Sequence, residues 1–305
     1  MKVLTFGEIM LRLKAPGHER FFQSPSLEAT FGGGEANVAV SLANYGMDAA
    51  FLTVLPKNDI AEACIRELRY FGVDTKKIVR GEGRMGIYYL EGGANQLPSK
   101  VVYDRAYSSI AMAKPGDIDW DFIFGRLGAR WLHTGGIFAA LSETTAQAVL
   151  EAVKAAKKWG TVVSYDLNYR PSLWKEIGGQ AKAQEVNREL AKYVDVMIGN
   201  EEDFTACLGF EVPGNDATLK TLSIKGYGRM IEEAVKVYPN FQVVATTLRA
   251  VKTATVNDWS AICWANGQLY HGLSLPALEI YDRVGGGDSF ASGLIYGLMT
   301  LSLIH

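Results

Sequence analysis

Trp131-Leu132-His133-Thr134 and Thr161-Val162-Val163-Ser164-Tyr165-Asp166 bracket a stretch in which Ala146, Val149, Leu150 and Val153 recur at helical spacing after Ser142. Two β-branched, apolar runs flank an amphipathic period, and Ser142 is of a type that caps a helix N-terminus. This is a strand–helix–strand unit. Further strand candidates are Val3–Phe6, Phe51–Val54, Val194–Ile198 and Gln242–Thr247. Strands alternating with helices predict an α/β fold with a mostly parallel sheet flanked by helices. Residues 85–105 break the rhythm. Gly86–Glu91 and Lys100–Arg105 are strand-like and are joined through Gly-Gly-Ala-Asn with no helix between them. They predict an antiparallel excursion, a small β lid over the carboxyl ends of the main strands, where such sheets bind ligands.

Of the 305 residues, 48% are hydrophobic and 21% charged, which suits a globular chain with a large core. The formal net charge of −2, with no block of five basic residues, argues against a nucleic-acid partner. No apolar run approaches the about 18 residues of a membrane span. Met1-Lys2-Val3-Leu4-Thr5-Phe6-Gly7 reads as a first buried strand, not a leader. Cys64, Cys207 and Cys263 are widely spaced and odd in number, which predicts free thiols and a reducing, cytoplasmic setting. His18, His133, His271 and His305 match no metal-ligand spacing and read as structural or exposed.

Chemistry concentrates in Asp282-Arg283-Val284-Gly285-Gly286-Gly287-Asp288-Ser289-Phe290, which leads into a helix-compatible apolar stretch ending at Met299. Glycines at a helix start leave backbone N–H groups bare, and the helix dipole adds positive charge, so the site suits a phosphate. Asp288 in that first turn could take a proton from an attacking hydroxyl. The same residues also read as a tight turn with an acid satisfying the dipole, and both readings stand on the glycines alone. No Gly-x-x-x-x-Gly-Lys-Ser/Thr motif is present, and Gly32-Gly33-Gly34 lacks the spacing of a dinucleotide site.

With Gly32-Gly33-Gly34-Glu35-Ala36-Asn37-Val38-Ala39 near the start and Asp282–Asp288 near the end, the chain resembles the ribokinase-like (PfkB) carbohydrate kinases over nearly its whole length. Gly7-Glu8-Ile9-Met10, Tyr165-Asp166-Leu167-Asn168-Tyr169-Arg170-Pro171-Ser172-Leu173-Trp174 and Asp282-Arg283 are most similar to the 2-keto-3-deoxygluconate kinases of that family. The resemblance implies one kinase domain over residues 1–305, with lid strands drawn from about 9–30 and 85–106. It implies ATP and Mg²⁺ as cofactors and a sugar acid phosphorylated on its terminal (6-) hydroxyl, while exposed lid-strand edges invite pairing with a second subunit and predict a dimer.

It further implies that Asp288 is the base and that Gly285, Gly286 and Gly287 form an anion hole. Gly33, Gly34 and Asn37 would line the sugar pocket, with Tyr89, Tyr103 and Arg105 reaching over it from the lid. Asn168, Arg170 and Asn200 would sit near substrate or phosphates, Thr247 and Arg249 on the nucleotide side, and Asp203 would organise Mg²⁺ through water. The tyrosines also read as cross-strand packing partners, Arg105 as a surface arginine and Arg170 as a cap on a strand-end carbonyl. A guanidinium over the pocket has a specific use, because its fork binds a carboxylate bidentately. The alternatives are a neutral-sugar kinase such as a fructokinase, or an impaired sugar-binding protein. Three features depart from the family pattern: Asp203 in place of glutamate, the glycine-free Thr246–Val251, and an end at Leu301-Ser302-Leu303-Ile304-His305. The last is expected to weaken nucleotide binding and expose apolar surface.

Overall fold

The computed structural model describes residues 2–200, 202–211 and 224–301. The chain enters as strand β1 (Val3–Phe6), then β2 (Met10–Lys14), β3 (Glu28–Gly32) and helix α1 (Gly34–Asn44). Next come β4 (Ala49–Leu52), β5 (Val54–Pro56), α2 (Asp59–Tyr70), β6 (Val79–Gly81), β7 (Gly86–Glu91) and β8 (Lys100–Asp104). The middle of the chain supplies β9 (Trp131–Gly135), α3 (Gly136–Ala139), α4 (Glu143–Lys158), β10 (Val162–Asp166), α5 (Pro171–Lys175), α6 (Gly179–Ala191) and β11 (Val196–Asn200). After α7 (Ile224–Val237), the strands β12 (Val243–Val251), β13 (Val256–Ala265), β14 (Gln268–His271) and β15 (Leu275–Glu279) lead to α8 (Gly286–Thr300).

The main sheet runs β14-β13-β12-β11-β10-β9-β1-β4, with β15 also paired to β13. From β4 to β12 every neighbour pair is parallel, and β13 to β15 add an antiparallel edge. This is the α/β architecture expected from the strand–helix alternation. The parallel strands are buried on both faces, β1 and β9 along their whole length, as parallel sheets with helices on both sides require. Ser164 gathers polar groups of this interior into one paired set, whereas the hydroxyls of Thr5, Thr134 and Thr246 are buried without a hydrogen-bond partner. The Ser164 hydroxyl accepts from Trp131 Nε1 at 2.7 Å and lies 2.9 Å from His133 Nδ1. Burial pushes His133 down to about 4, so the ring is neutral and structural.

The strand–helix–strand unit that carried the sequence reading shows its physical cause. Ser142 Oγ accepts from Thr145 N at 3.1 Å, and the Thr145 hydroxyl accepts from Ser142 N at 2.9 Å, a reciprocal cap that starts α4 at Glu143. Ala148, Val149, Ala152, Val153 and Ala156 then face the sheet. The run expected over Phe51–Val54 is instead two strands, because β5 leaves β4 to pair with β6.

The lid is a second sheet of four strands, ordered β3-β2-β7-β8. Strands β7 and β8 are antiparallel, whereas β2 and β7 run parallel. Its outer edges, β3 and β8, are mostly exposed.

Phe6 ends β1 with no exposed surface and meets Phe138 and Trp120 edge-on at centroid distances of 4.6 and 5.1 Å. Phe6→Ala is expected to lower the unfolding free energy by about 3–5 kcal/mol, read as a fall in the denaturant midpoint at unchanged slope. A loss below about 1 kcal/mol would show that this aromatic cluster does not anchor the strand.

Candidate active site

Two helix N-termini converge above the carboxyl ends of the parallel strands. Helix α1 starts after Gly33, where a Cβ would overlap the Glu8 carbonyl oxygen, so only glycine lets the chain leaving β1 lie against the helix start. Helix α8 starts after Gly285, whose φ of 88° is in the left-handed region that glycine adopts freely. Asp288, in the first turn of α8, receives a hydrogen bond at Oδ2 from Asn37 Nδ2 of α1 at 2.7 Å. A Cβ built on Gly34 would come 3.6 Å from Asp288 Oδ1, so the bare backbone of residue 34 faces the acid. Gly285, Gly286 and Gly287 line the same cavity with Asp288.

The cavity, about 580 Å³, is unusually acidic. Glu8, Glu35, Asp166, Asp203 and Asp288 all line it. Burial is the first cause raising each of their carboxyls. Glu35 and Asp166 are pushed up to about 8, with repulsion from Asp288 adding to both. For Asp288 the Asn37 bond and the Arg170 charge oppose the rise. Asn37 therefore stabilises the charged form of the acid that faces the ligand space.

At the end of β10, Asn168 adopts a left-handed φ of 37°, tolerable for asparagine. Asn168 and Arg170 line the cavity, and Arg170 donates to the Tyr169 carbonyl at 2.8 Å. Asn200 Oδ1 accepts from Glu202 N at 2.8 Å and Asp203 N at 3.1 Å. Asp203 accepts from Tyr169 N at 2.9 Å through one oxygen and from Asn200 N at 2.8 Å through the other. The sequence assigned Asp203 to a metal-bound water. Each of its oxygens accepts one backbone N–H, and the carboxylate ties the ends of β10 and β11 together. Among the described residues no cluster of three or more histidine, cysteine or acidic side chains could hold a metal ion by itself. Glu201, in the same segment, lies outside the described residues. Thr247 and Arg249 reach the cavity from β12. Trp259 of β13 lies against the glycine run, with Cη2 3.2 Å from where a Gly286 Cβ would be.

The lid supplies the opposite wall. Tyr103 and Arg105 line the cavity, and the Arg105 guanidinium lies 3.9 Å from the Tyr103 ring centroid. Arg105 is not a surface arginine: it is buried, and its Nη1 donates to Glu8 Oε2 at 3.0 Å. Tyr89 requires a correction. Side chains alternate across a strand, and Tyr88 and Leu90, not Tyr89, line the cavity. Tyr89 sits on the other face of the lid, edge-on to Phe21 at 6.3 Å.

Glu8, Glu35, Asp166, Tyr88 and Trp259 had been given no role. Three of them lie within motifs already quoted, Glu8 in Gly7–Met10, Glu35 in the first glycine signature and Asp166 in the Asp-Leu-Asn-Tyr-Arg run. Tyr88 was one residue out of register. Trp259 carries no local signal, because only the β12–β13 hairpin brings it to Gly286.

The arrangement can hold an anion at the start of α8, place an acid beside it and close a lid on a polar ligand. The family model for pfkB family carbohydrate kinases matches residues 1–302. A solved structure of 2-dehydro-3-deoxygluconokinase from Thermotoga maritima is 48% identical, with a TM-score of 0.90, over 98% of this chain and 87% of that one. The 2-dehydro-3-deoxygalactonokinase of Haloferax volcanii is 36% identical over 218 residues, 72% of this chain and 66% of that protein. The 5-dehydro-2-deoxygluconokinase of Geobacillus kaustophilus is 27% identical over 97% of this chain and 81% of its own length.

Removing the amide of residue 37 should raise the Asp288 carboxyl further. A base works deprotonated, so in Asn37→Leu the acid limb of the kcat/KM profile should move to higher pH relative to the parent. An unmoved limb would mean that Asn37 does not set the charge of Asp288.

Proposed function

The chain belongs to the pfkB family of carbohydrate kinases, and from that premise we propose that it phosphorylates 2-dehydro-3-deoxygluconate (2-keto-3-deoxygluconate) on its terminal (6-) hydroxyl. Kinases of this family use ATP as phosphoryl donor. The observation that carries the reading is Asp288, held by Asn37 at the glycine-rich start of α8, facing a cavity whose lid wall holds Arg105. Asp288 accepts the proton of the sugar hydroxyl as that oxygen bonds to the γ-phosphorus and the bond to the β-phosphate oxygen breaks, releasing ADP. The N–H groups of Gly285 to Gly287 meet the charge on the transferring oxygens. General-base help of this kind is worth about 10²–10⁴-fold.

Substrate class rests on two supports. The Thermotoga maritima relative, 48% identical, carries that substrate in its name. Arg105, stacked on Tyr103, offers its remaining N–H edge to a carboxylate, and the rise in the Glu8 carboxyl lessens competition for it. The Haloferax volcanii relative favours the galactonate epimer as a second reading. Gly33, Gly34, Asn37 and Tyr103 would contact the sugar, with Tyr88 in place of Tyr89. Asn168, Arg170, Asn200, Thr247 and Arg249 would face the nucleotide.

Mg²⁺ fits this site as a partner of the phosphates. Burial pushes Asp166 toward its neutral form, a cation beside it would favour the charged carboxylate, and hard cations accept carboxylates through water. Asp166 and Asn200 are the oxygen donors nearest to that task, and the ion would neutralise charge on the β- and γ-oxygens. Three cysteines without disulfides suit a cytoplasmic setting.

ADP release should appear with 2-dehydro-3-deoxygluconate and Mg-ATP and fall about 10²–10⁴-fold in Asp288→Asn. Arg105→Ala should abolish turnover on the acid without creating it on fructose or ribose. Turnover of the parent on a neutral sugar in preference to the acid would overturn the substrate assignment. The exposed lid edges β3 and β8 would pair with a second copy. A dimer mass by light scattering is expected, and a monomer at all concentrations contradicts it.

A further inference from the structure

The lid and the catalytic loop are joined by a bond between side chains 270 residues apart. Arg12 Nη2 of β2 donates to Asp282 Oδ2 at 2.7 Å. The other oxygen, Oδ1, accepts from Val284 N at 2.9 Å. Asp282 thus closes the turn that delivers the chain to Gly285, and its second oxygen is held from the lid.

Arg12 also has a fixed place in the lid. Its register partner on β7 is Tyr88, whose partner on β8 is Tyr103. The three residues form one row across the strands, and both tyrosines of that row line the cavity. The rings of Tyr88 and Tyr103 lie 6.1 Å apart. The Tyr88 hydroxyl rests 2.7 Å from where a Gly32 Cβ would be, so the row is seated against the strand that leads into α1. Wherever Arg12 is held, the aromatic wall over the ligand is held with it.

We propose that the Arg12–Asp282 pair is a latch that sets the anion-hole loop according to the position of the lid, with Arg12 a positioning residue acting through Asp282. The inference rests on the kinase reading of the Asp288 site. With the lid down, Arg12 fixes the turn entering Gly285 and the phosphoryl-binding N–H groups take their working geometry. With the lid raised, Asp282 keeps only its bond within the turn. Sugar binding under the lid therefore holds the latch shut and completes the site for phosphoryl transfer, whereas without sugar the loop is latched only while the lid is down. An exposed ion pair adds little to overall stability, so the latch can be broken without unfolding the chain.

Arg12→Met and Asp282→Asn, singly and combined, test this, with Arg12→Lys as the conservative variant. Asparagine keeps the acceptor for Val284 N and removes only the charge. Each single variant should raise the sugar KM and lower kcat/KM about tenfold, while the double variant loses no more than the worse single one. The KM for ATP should stay put, ADP release without sugar should not rise, and Arg12→Lys should recover much of the loss. Hydrogen exchange on the unliganded protein should show residues 283–287 exchanging faster in Arg12→Met and at the parent rate in Arg12→Lys. Multiplicative losses in the double variant, or unchanged exchange of that loop, would overturn the latch. If the parent releases no ADP with any sugar, the kinase reading fails, and the exchange comparison still decides the latch.

Discussion

The hydrogen bond from Asn37 to Asp288 is the contact on which the site depends. It spans 251 residues of sequence and holds two helix N-termini together at one point. Each helix alone would present bare N–H groups to solvent. Together they place a carboxylate between two positive helix ends. The approach is possible only because Gly33 and Gly285 bring the backbone to each helix start, one by close packing against the Glu8 carbonyl and the other by a left-handed turn. The parallel sheet supplies the register, since β1 leads toward α1 while β9, β10 and β11 end at the same height.

Around that contact the electrostatics are uneven. Six acids line the cavity, and burial pushes Glu8, Glu35, Asp166, Asp203 and Asp288 toward their neutral forms. Arg105 answers Glu8, and Arg170 lowers Asp166, Asp203 and Asp288 together. Asp203 is the instructive member of the set. It lines the cavity, and each of its oxygens accepts one backbone N–H. Its work is to fix Asn168 to Arg170 relative to Asn200, and so to shape the site.

Much of the architecture was legible because local signals were strong. The Ser142 cap, the apolar period after it and the buried runs on either side are consequences of short-range rules, and they found β9 and β10 within a residue and the start of α4. Gly285 to Asp288 was legible for the same reason. What escaped was information held between distant segments. A strand read without its partners does not reveal which of two adjacent tyrosines faces inward, and only pairing with β2 and β8 turns Tyr88 to the cavity and Tyr89 to Phe21. The Arg105–Glu8 pair joins residues 97 positions apart, and neither residue type announces the other. Trp259 reaches Gly286 through a hairpin whose register no single strand encodes.

The central claim is that burial raises the Asp288 carboxyl and that the Asn37 hydrogen bond opposes the rise. The direct measurement is a carbon-13 NMR titration of aspartate carboxyls, with the Asp288 signal identified by its disappearance in Asp288→Asn. The account predicts a midpoint above the ordinary 3.8, and a further upward move when Asn37 is replaced by leucine. A midpoint at or below 3.8, or one indifferent to residue 37, would contradict it.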